Sequence, residues 1–162
     1  MDKKRQRGFS LIELLIVVAI IGIIAAIAVP KLLVAQQAAR ETAAFTEVQT
    51  LGKSQILYSS TRGRGKYGDL AALGAQGLVD QTMASGNKGG YIFATNPIDM
   101  EGLRPMFDTT AKPSSVGTFG TGNRSYYSNE VLLNTVYEAD GDQPPSATPQ
   151  DRLPKNGTPR SD

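Results

Sequence analysis

Glu13 is the one carboxylate in a run of 21 residues, 9–29, in which only Ser10, Glu13 and Gly22 depart from Ala, Val, Ile, Leu and Phe. An acidic group at mid-membrane costs on the order of 2.5–3.5 kcal/mol, less near the interface, and such a group is usually paired and functional. The competing reading is a side chain that reaches the lipid headgroups and pairs with nothing. Little other chemistry is available. The chain has no Cys and no His, which removes Cys/His nucleophiles, thiolate or imidazole zinc sites and disulfides together. No nucleophile–base pair stands out, so the chain reads as a non-enzyme without a resident cofactor. Asp140 and Asp142, with Glu138, alternate around Gly141 and are candidates for calcium. Calcium takes about 6–8 oxygen ligands, however, and three carboxylates fall short of that. Gly63, Gly65 and Gly68 fit G-x-G-x-x-G, but the dinucleotide fingerprint needs a strand before it, and this one follows a helical segment.

The elements that carry these residues begin with the apolar run itself. As a helix rising ~1.5 Å per residue it would be about 31 Å long, matching a hydrocarbon core of about 30 Å. A cleaved secretory signal would have a shorter apolar region followed by a polar start, whereas here the helical pattern continues. Lys3, Lys4, Arg5 and Arg7 precede the run and only Lys31 closely follows it, so the bias in basic residues places the N-terminus in the cytoplasm. The formal charge of +2 resides in that leader: without residues 1–8, 13 basic residues face 14 acidic ones. A nucleic-acid footprint is therefore not expected.

Pro30 lacks an N–H and its ring clashes with the carbonyl of Ala26, so a kink or loosening is expected there. Gly22 and Ala26 form a small-xxx-small pair that would let neighbouring helices approach closely. From Lys31 to about Ser60 the pattern is amphipathic, with Ala44, Phe45, Val48, Leu51, Gly52, Ile56 and Tyr58 within one arc. Residues 61–162 hold 14 of the 17 glycines and 8 of the 9 prolines, and a head this poor in apolar residues is expected to pack its sheet on that arc. Its elements read as a short helix over 69–79 capped by Asp69, then strands near 91–95, 105–111, 124–128 and 131–138, with a hairpin turn at 128–130. Residues 112–123 read as a flexible connection. From about residue 140 onward, five prolines and Leu153 as the only large apolar side chain suggest a mobile or surface-wrapped tail.

Arg7, Gly8, Phe9, Ser10, Leu11, Ile12, Glu13, Leu14 and Leu15, ahead of an apolar helix with Pro30 downstream, resemble the leader and N-terminal helix of type IV pilins and type II secretion pseudopilins. The resemblance covers about residues 1–60. It implies an α+β fold, a long kinked N-terminal helix packed on a small antiparallel sheet of three or four strands. The implied organisation is a cleaved leader (1–8), the long helix (9–60, with about 9–29 in the membrane) and a head (61–162) with a flexible tail. It further implies that a prepilin peptidase cuts between Gly8 and Phe9 and methylates the new terminus. Glu13 would then pair with the terminal amine of a neighbouring copy during assembly. The implied partners are copies of the same chain in a helical filament, the peptidase and assembly machinery, and the inner membrane before assembly, with an extracellular pilus or periplasmic pseudopilus as the destination. The lack of any cysteine departs from the many pilins that close the C-terminal region with a disulfide.

Overall fold

Helix α1 spans Leu11–Thr61, one residue past its expected end, because only Pro30 and two isolated glycines, Gly22 and Gly52, oppose a helix in those 51 residues. The computed structural model describes residues 9–133 and 135–160. These fall into two units, one ending at Ala35 and one beginning at Gln36. In the first, every side chain from Phe9 to Leu32 is exposed. The helical assignment passes through Pro30 without a break. Thr42, Thr46 and Thr50 each donate a hydroxyl hydrogen bond to the carbonyl four residues earlier, at 3.0, 3.0 and 2.9 Å, which keeps these β-branched residues satisfied on the exposed face.

In the second unit the opposite face of α1 is buried: Ala44, Phe45, Val48, Leu51, Gly52 and Gln55, spaced three and four apart. The expected arc holds except at its end, where Ile56 is exposed. Against it lies a six-stranded antiparallel meander, β1 (Asn87–Lys88), β2 (Tyr91–Ile98), β3 (Met106–Pro113), β4 (Arg124–Asn129), β5 (Val136–Asp140) and β6 (Thr158–Arg160), in sequence order. The expected three or four strands are thus four substantial ones plus two edge pieces, β1 and β6, too short for alternation to reveal. Register puts Phe93 opposite Ala111 and Ala111 opposite Tyr126, so these three share the face that meets the helix. Tyr126 packs edge-on against Phe45 at 6.2 Å and tilted against Tyr91 at 6.2 Å. Gln55 is buried beneath this layer, giving its amide to Gly68 O and Thr95 Oγ1 and accepting from Gly68 N. Helices α2 (Leu70–Ala75) and α3 (Gln81–Ala84) close the side of the sheet. Asp69 caps α2 as expected, accepting from Ala72 N at 2.7 Å, and Asp80 does the same for Met83 N at 2.8 Å.

Two segments differ from expectation. The fourth strand starts at Val136 rather than 131, because Asn129 Oδ1 accepts from both Val131 N and Leu132 N and folds the intervening residues into a turn that buries Leu132. The tail from residue 140 takes the surface-wrapped alternative and is tied down rather than mobile. β6 pairs with β5, and the Arg160 guanidinium lies 4.7 Å from the centroid of the Phe45 ring. Before it, Arg152 is buried, and its side chain grips the far end of the sheet. Its Nε and Nη2 donate to the two oxygens of Glu130, each at 2.9 Å, while Nη2 also donates to Asp108 Oδ1 at 2.6 Å and Phe107 O at 2.8 Å. Asn129 Nδ2 donates to Arg152 O at 2.7 Å, and Tyr127 Oη donates to Asp108 at 2.6 Å. These contacts cover the outer face of β4 at Tyr127 and Asn129, which is why both are as buried as the helix-facing residues. A charged residue supplies the closure that the apolar-poor tail could not.

Truncating Arg152 to Ala leaves Glu130 buried without its cation, so a loss of about 3–5 kcal/mol is expected in denaturant unfolding. Replacing Arg152, Glu130 and Asp108 together by apolar residues should cost far less, since no charge is then stranded. The buried tyrosines set an alkaline limit. Burial pushes the Tyr126 phenol up to about 12 and also raises Tyr91 and Tyr127, the last helped by Asp108. An unfolded phenol ionises near pH 10, so above about pH 10 the unfolded chain sheds protons that the folded chain keeps. Stability should be intact below that pH and fall progressively from it toward pH 12, tracked by chemical unfolding alongside phenolate absorbance.

Candidate functional site

The residues singled out by chemistry lie on the first unit of α1. Ser10 immediately precedes the helix and Glu13 occupies its third position, where the carboxylate turns back: Glu13 Oε2 accepts from Ser10 N at 2.9 Å. That satisfies one of the backbone donors a helix start leaves open, and a negative charge in the first turn also suits the helix dipole. This local role was legible in the Ser10-x-x-Glu13 spacing, a capping-box signature. The carboxylate still has a second oxygen and unused lone pairs. Phe9 is 90 % exposed. Gly22 faces open space, with no heavy atom within 4 Å of where a Cβ would stand. Ala26 is exposed as well, so the structure brings Phe9, Glu13, Gly22, Ala26 and Pro30 together only as positions along one bare helix. Gly8 and the basic leader lie outside the described residues.

The helix is long and apolar enough to cross a membrane by length and composition, its best 18-residue window having a mean hydropathy of 3.1 with none of it buried. Apolar surface of that extent, left open in the chain, requires a cover of lipid or protein.

The other candidates are spread over the head. The glycines of 63–68 form the loop that ends α1, with Arg62 N and Gly63 N both donating to Tyr58 O at 2.9 and 2.8 Å, and among the described residues no strand precedes them. Within that loop Lys66 pairs with Asp99. Asp140 and Asp142 are both exposed, and Glu138 is engaged by Arg124 at 3.5 Å and Arg160 at 3.3 Å. No group of three or more metal-ligating side chains is assembled among the described residues.

Residues 3–29 match the family model described as the prokaryotic N-terminal methylation motif. The start of this chain is a prepilin-type segment. The type IV major pilin protein PilA of Myxococcus xanthus is 46 % identical over 67 residues, 41 % of this chain and 30 % of that protein. The type IV wide pilus major component PilA4 of Thermus thermophilus is 44 % identical over 55 residues, 34 % of this chain and 42 % of that protein. The type II secretion system core protein G of Aeromonas hydrophila is 33 % identical over 64 residues, 40 % of this chain and 45 % of that protein. The chain thus spans less than half the length of each of these relatives. No solved structure matches it. The prepilin-type segment and the apolar helix together fit a membrane-anchored precursor.

The cap gives Glu13 a measurable role within a single chain. Glu13→Ala should weaken the first turn by about 1 kcal/mol, seen in detergent micelles as faster amide hydrogen exchange at Ser10 and Leu14, with exchange beyond residue 40 unchanged.

Proposed function

We propose that this chain is a structural subunit, a pilin, that polymerises through its N-terminal helix into a type IV pilus-like filament. The single observation that carries this reading is a prepilin-type segment whose helix is wholly exposed and holds one carboxylate in its first turn. A prepilin peptidase cuts between Gly8 and Phe9 and methylates Phe9. Cleavage removes four basic residues and creates a new cation, the amine of Phe9. In the filament the amine of one copy meets the Glu13 carboxylate of the next. The cap occupies one oxygen through Ser10 N–H and leaves the other for the incoming amine, so both contacts fit on one side chain. A buried charge without its partner is costly, and the pairing therefore favours addition of processed subunits over unprocessed ones.

Before assembly the precursor sits in the inner membrane with its basic leader in the cytoplasm and its head outside. Gly22 and Ala26 let neighbouring helices approach, and Pro30 gives the helix a place to loosen. The head contributes no catalysis and needs no cofactor or calcium. A second reading, a pseudopilin of a type II secretion system, is favoured by the match to the Aeromonas core protein G. Both readings share every step up to polymerisation and differ in where the polymer goes.

Glu13→Ala is expected to leave the protein processed and membrane-bound while abolishing filaments; filaments of normal abundance would refute the pairing. Mass spectrometry of sheared surface material separates the two destinations. Methylated Phe9 at the start of chains in long extracellular fibres supports the pilin, and its confinement to the envelope supports the pseudopilin.

A further inference from the structure

The last strand is set in place by one turn. Asn156 and Gly157 lead directly into β6, and they are the chain's one Asn-Gly pair. Gly157 has a φ of +89°, and a Cβ on it would stand 2.6 Å from the ring of the buried Pro145 and 2.8 Å from Glu138 O. The position therefore needs glycine and has no room for another atom. The Asn156 side chain reaches back across the tail, its Oδ1 accepting from Ser146 N at 3.1 Å. From this turn β6 takes its register, with Thr158 opposite Glu138 and Arg160 opposite Val136 on β5. That register delivers the Arg160 guanidinium to the Phe45 ring.

Asn-Gly is also the pair in which a backbone nitrogen most readily attacks the preceding side-chain amide, because glycine has no Cβ to crowd the approach. Three features of this turn favour the attack. Asn156 and Gly157 are both exposed, so water or hydroxide can take the proton of Gly157 N. Among the described residues Gly157 N donates to no acceptor. The Ser146 N–H meets Asn156 Oδ1, the oxygen on which negative charge gathers as the amide carbon becomes tetrahedral, and a donor fixed there lowers the barrier. The chain's one Asp-Gly pair, Asp140-Gly141, lacks this freedom, since Gly141 N is already engaged with Asn123 O at 2.7 Å.

We propose that Asn156 is a modification site, at which the tail converts its own amide to an acid and so loosens β6. Gly157 N bonds to Asn156 Cγ, the Cγ–Nδ2 bond breaks, and Nδ2 leaves as ammonia with the proton lost from Gly157 N, closing an imide ring. Solvent water then adds to one of the two imide carbonyls. Opening at one restores an ordinary aspartyl linkage, whose carboxylate can still accept from Ser146 N. Opening at the other leaves an isoaspartyl linkage, with the Cβ of residue 156 now part of the main chain. That extra backbone atom falls immediately before Gly157, where Pro145 and Glu138 O leave no space, so β6 shifts off β5 and withdraws Arg160 from Phe45. The inference goes beyond the filament reading and does not depend on it.

The full chain would be aged in detergent micelles at mildly alkaline pH, natively and in urea, in heavy-oxygen water, and mapped by peptide mass spectrometry with fragmentation that separates isoaspartyl from aspartyl residues. In the native chain the expected result is an amide-to-acid mass gain carrying heavy oxygen at Asn156, with isoaspartyl product there and none at Asp140. N156Q, whose longer side chain disfavours the ring, should stay unchanged. Asn156 remaining intact in the native chain while the urea-unfolded chain reacts overturns the site, as does isoaspartyl product forming at Asp140 alongside it in the native chain. For the loosening, proton NMR should show the Arg160 side chain losing its upfield shift from the Phe45 ring in the isoaspartyl form and keeping it in N156D and in N156Q aged alike. An isoaspartyl form with that shift unchanged overturns the release of β6.

Discussion

The head is held together by one stripe of α1. Ala44, Phe45, Val48 and Leu51 supply the helix side of a core whose sheet side is Tyr91, Phe93, Ala111 and Tyr126. Residues 61–162 have too few apolar side chains to close a core on their own. The second half of the helix is therefore a component of the head, and the sheet is assembled against it. Gln55, buried in the same layer, ties Gly68 and Thr95 to the helix by side-chain hydrogen bonds, so the stripe sets position as well as burial.

The opposite face of the sheet is closed by charge. Arg152 reaches Glu130, Asp108 and the Phe107 carbonyl, joining segments far apart in the chain in a protein that has no cysteine with which to do so. Burying a guanidinium is costly, and it is tolerable here because a two-pronged contact to one carboxylate and a bond to a second compensate it. Glu138 plays a related part between Arg124 and Arg160. Glu130 and Glu138 thus serve to bind arginines of the same head.

The helix, its buried arc and the four main strands were legible: the arc from spacings of three and four between Ala44 and Leu51, the strands as short runs of β-forming residues bounded by glycine- and proline-rich turns. What was missed lacks periodicity. β1 and β6 are too short to alternate. The segment after β4 looked like strand because Val131, Leu133, Thr135 and Tyr137 alternate with Leu132, Asn134 and Val136 in the sequence, while the deciding Asn129 side chain bonds are a matter of one amide. Arg152 gave no signal, since a lone arginine in a proline-rich segment reads as solvated. At the N-terminus both signals stand in the sequence: Glu13 is incongruous in an apolar run, and its spacing to Ser10 accounts for its local contact.

Strand order also bears on how such a head could be completed during synthesis from its N-terminal end. Each strand pairs with its neighbour in sequence, so pairing can advance with delivery and needs no long-range search. The helix-facing core closes once β5 brings Val136, but the cover over Tyr127 and Asn129 waits for Arg152. A half-delivered head is consequently finished on one side and open on the other, and its last-arriving residues act as a seal.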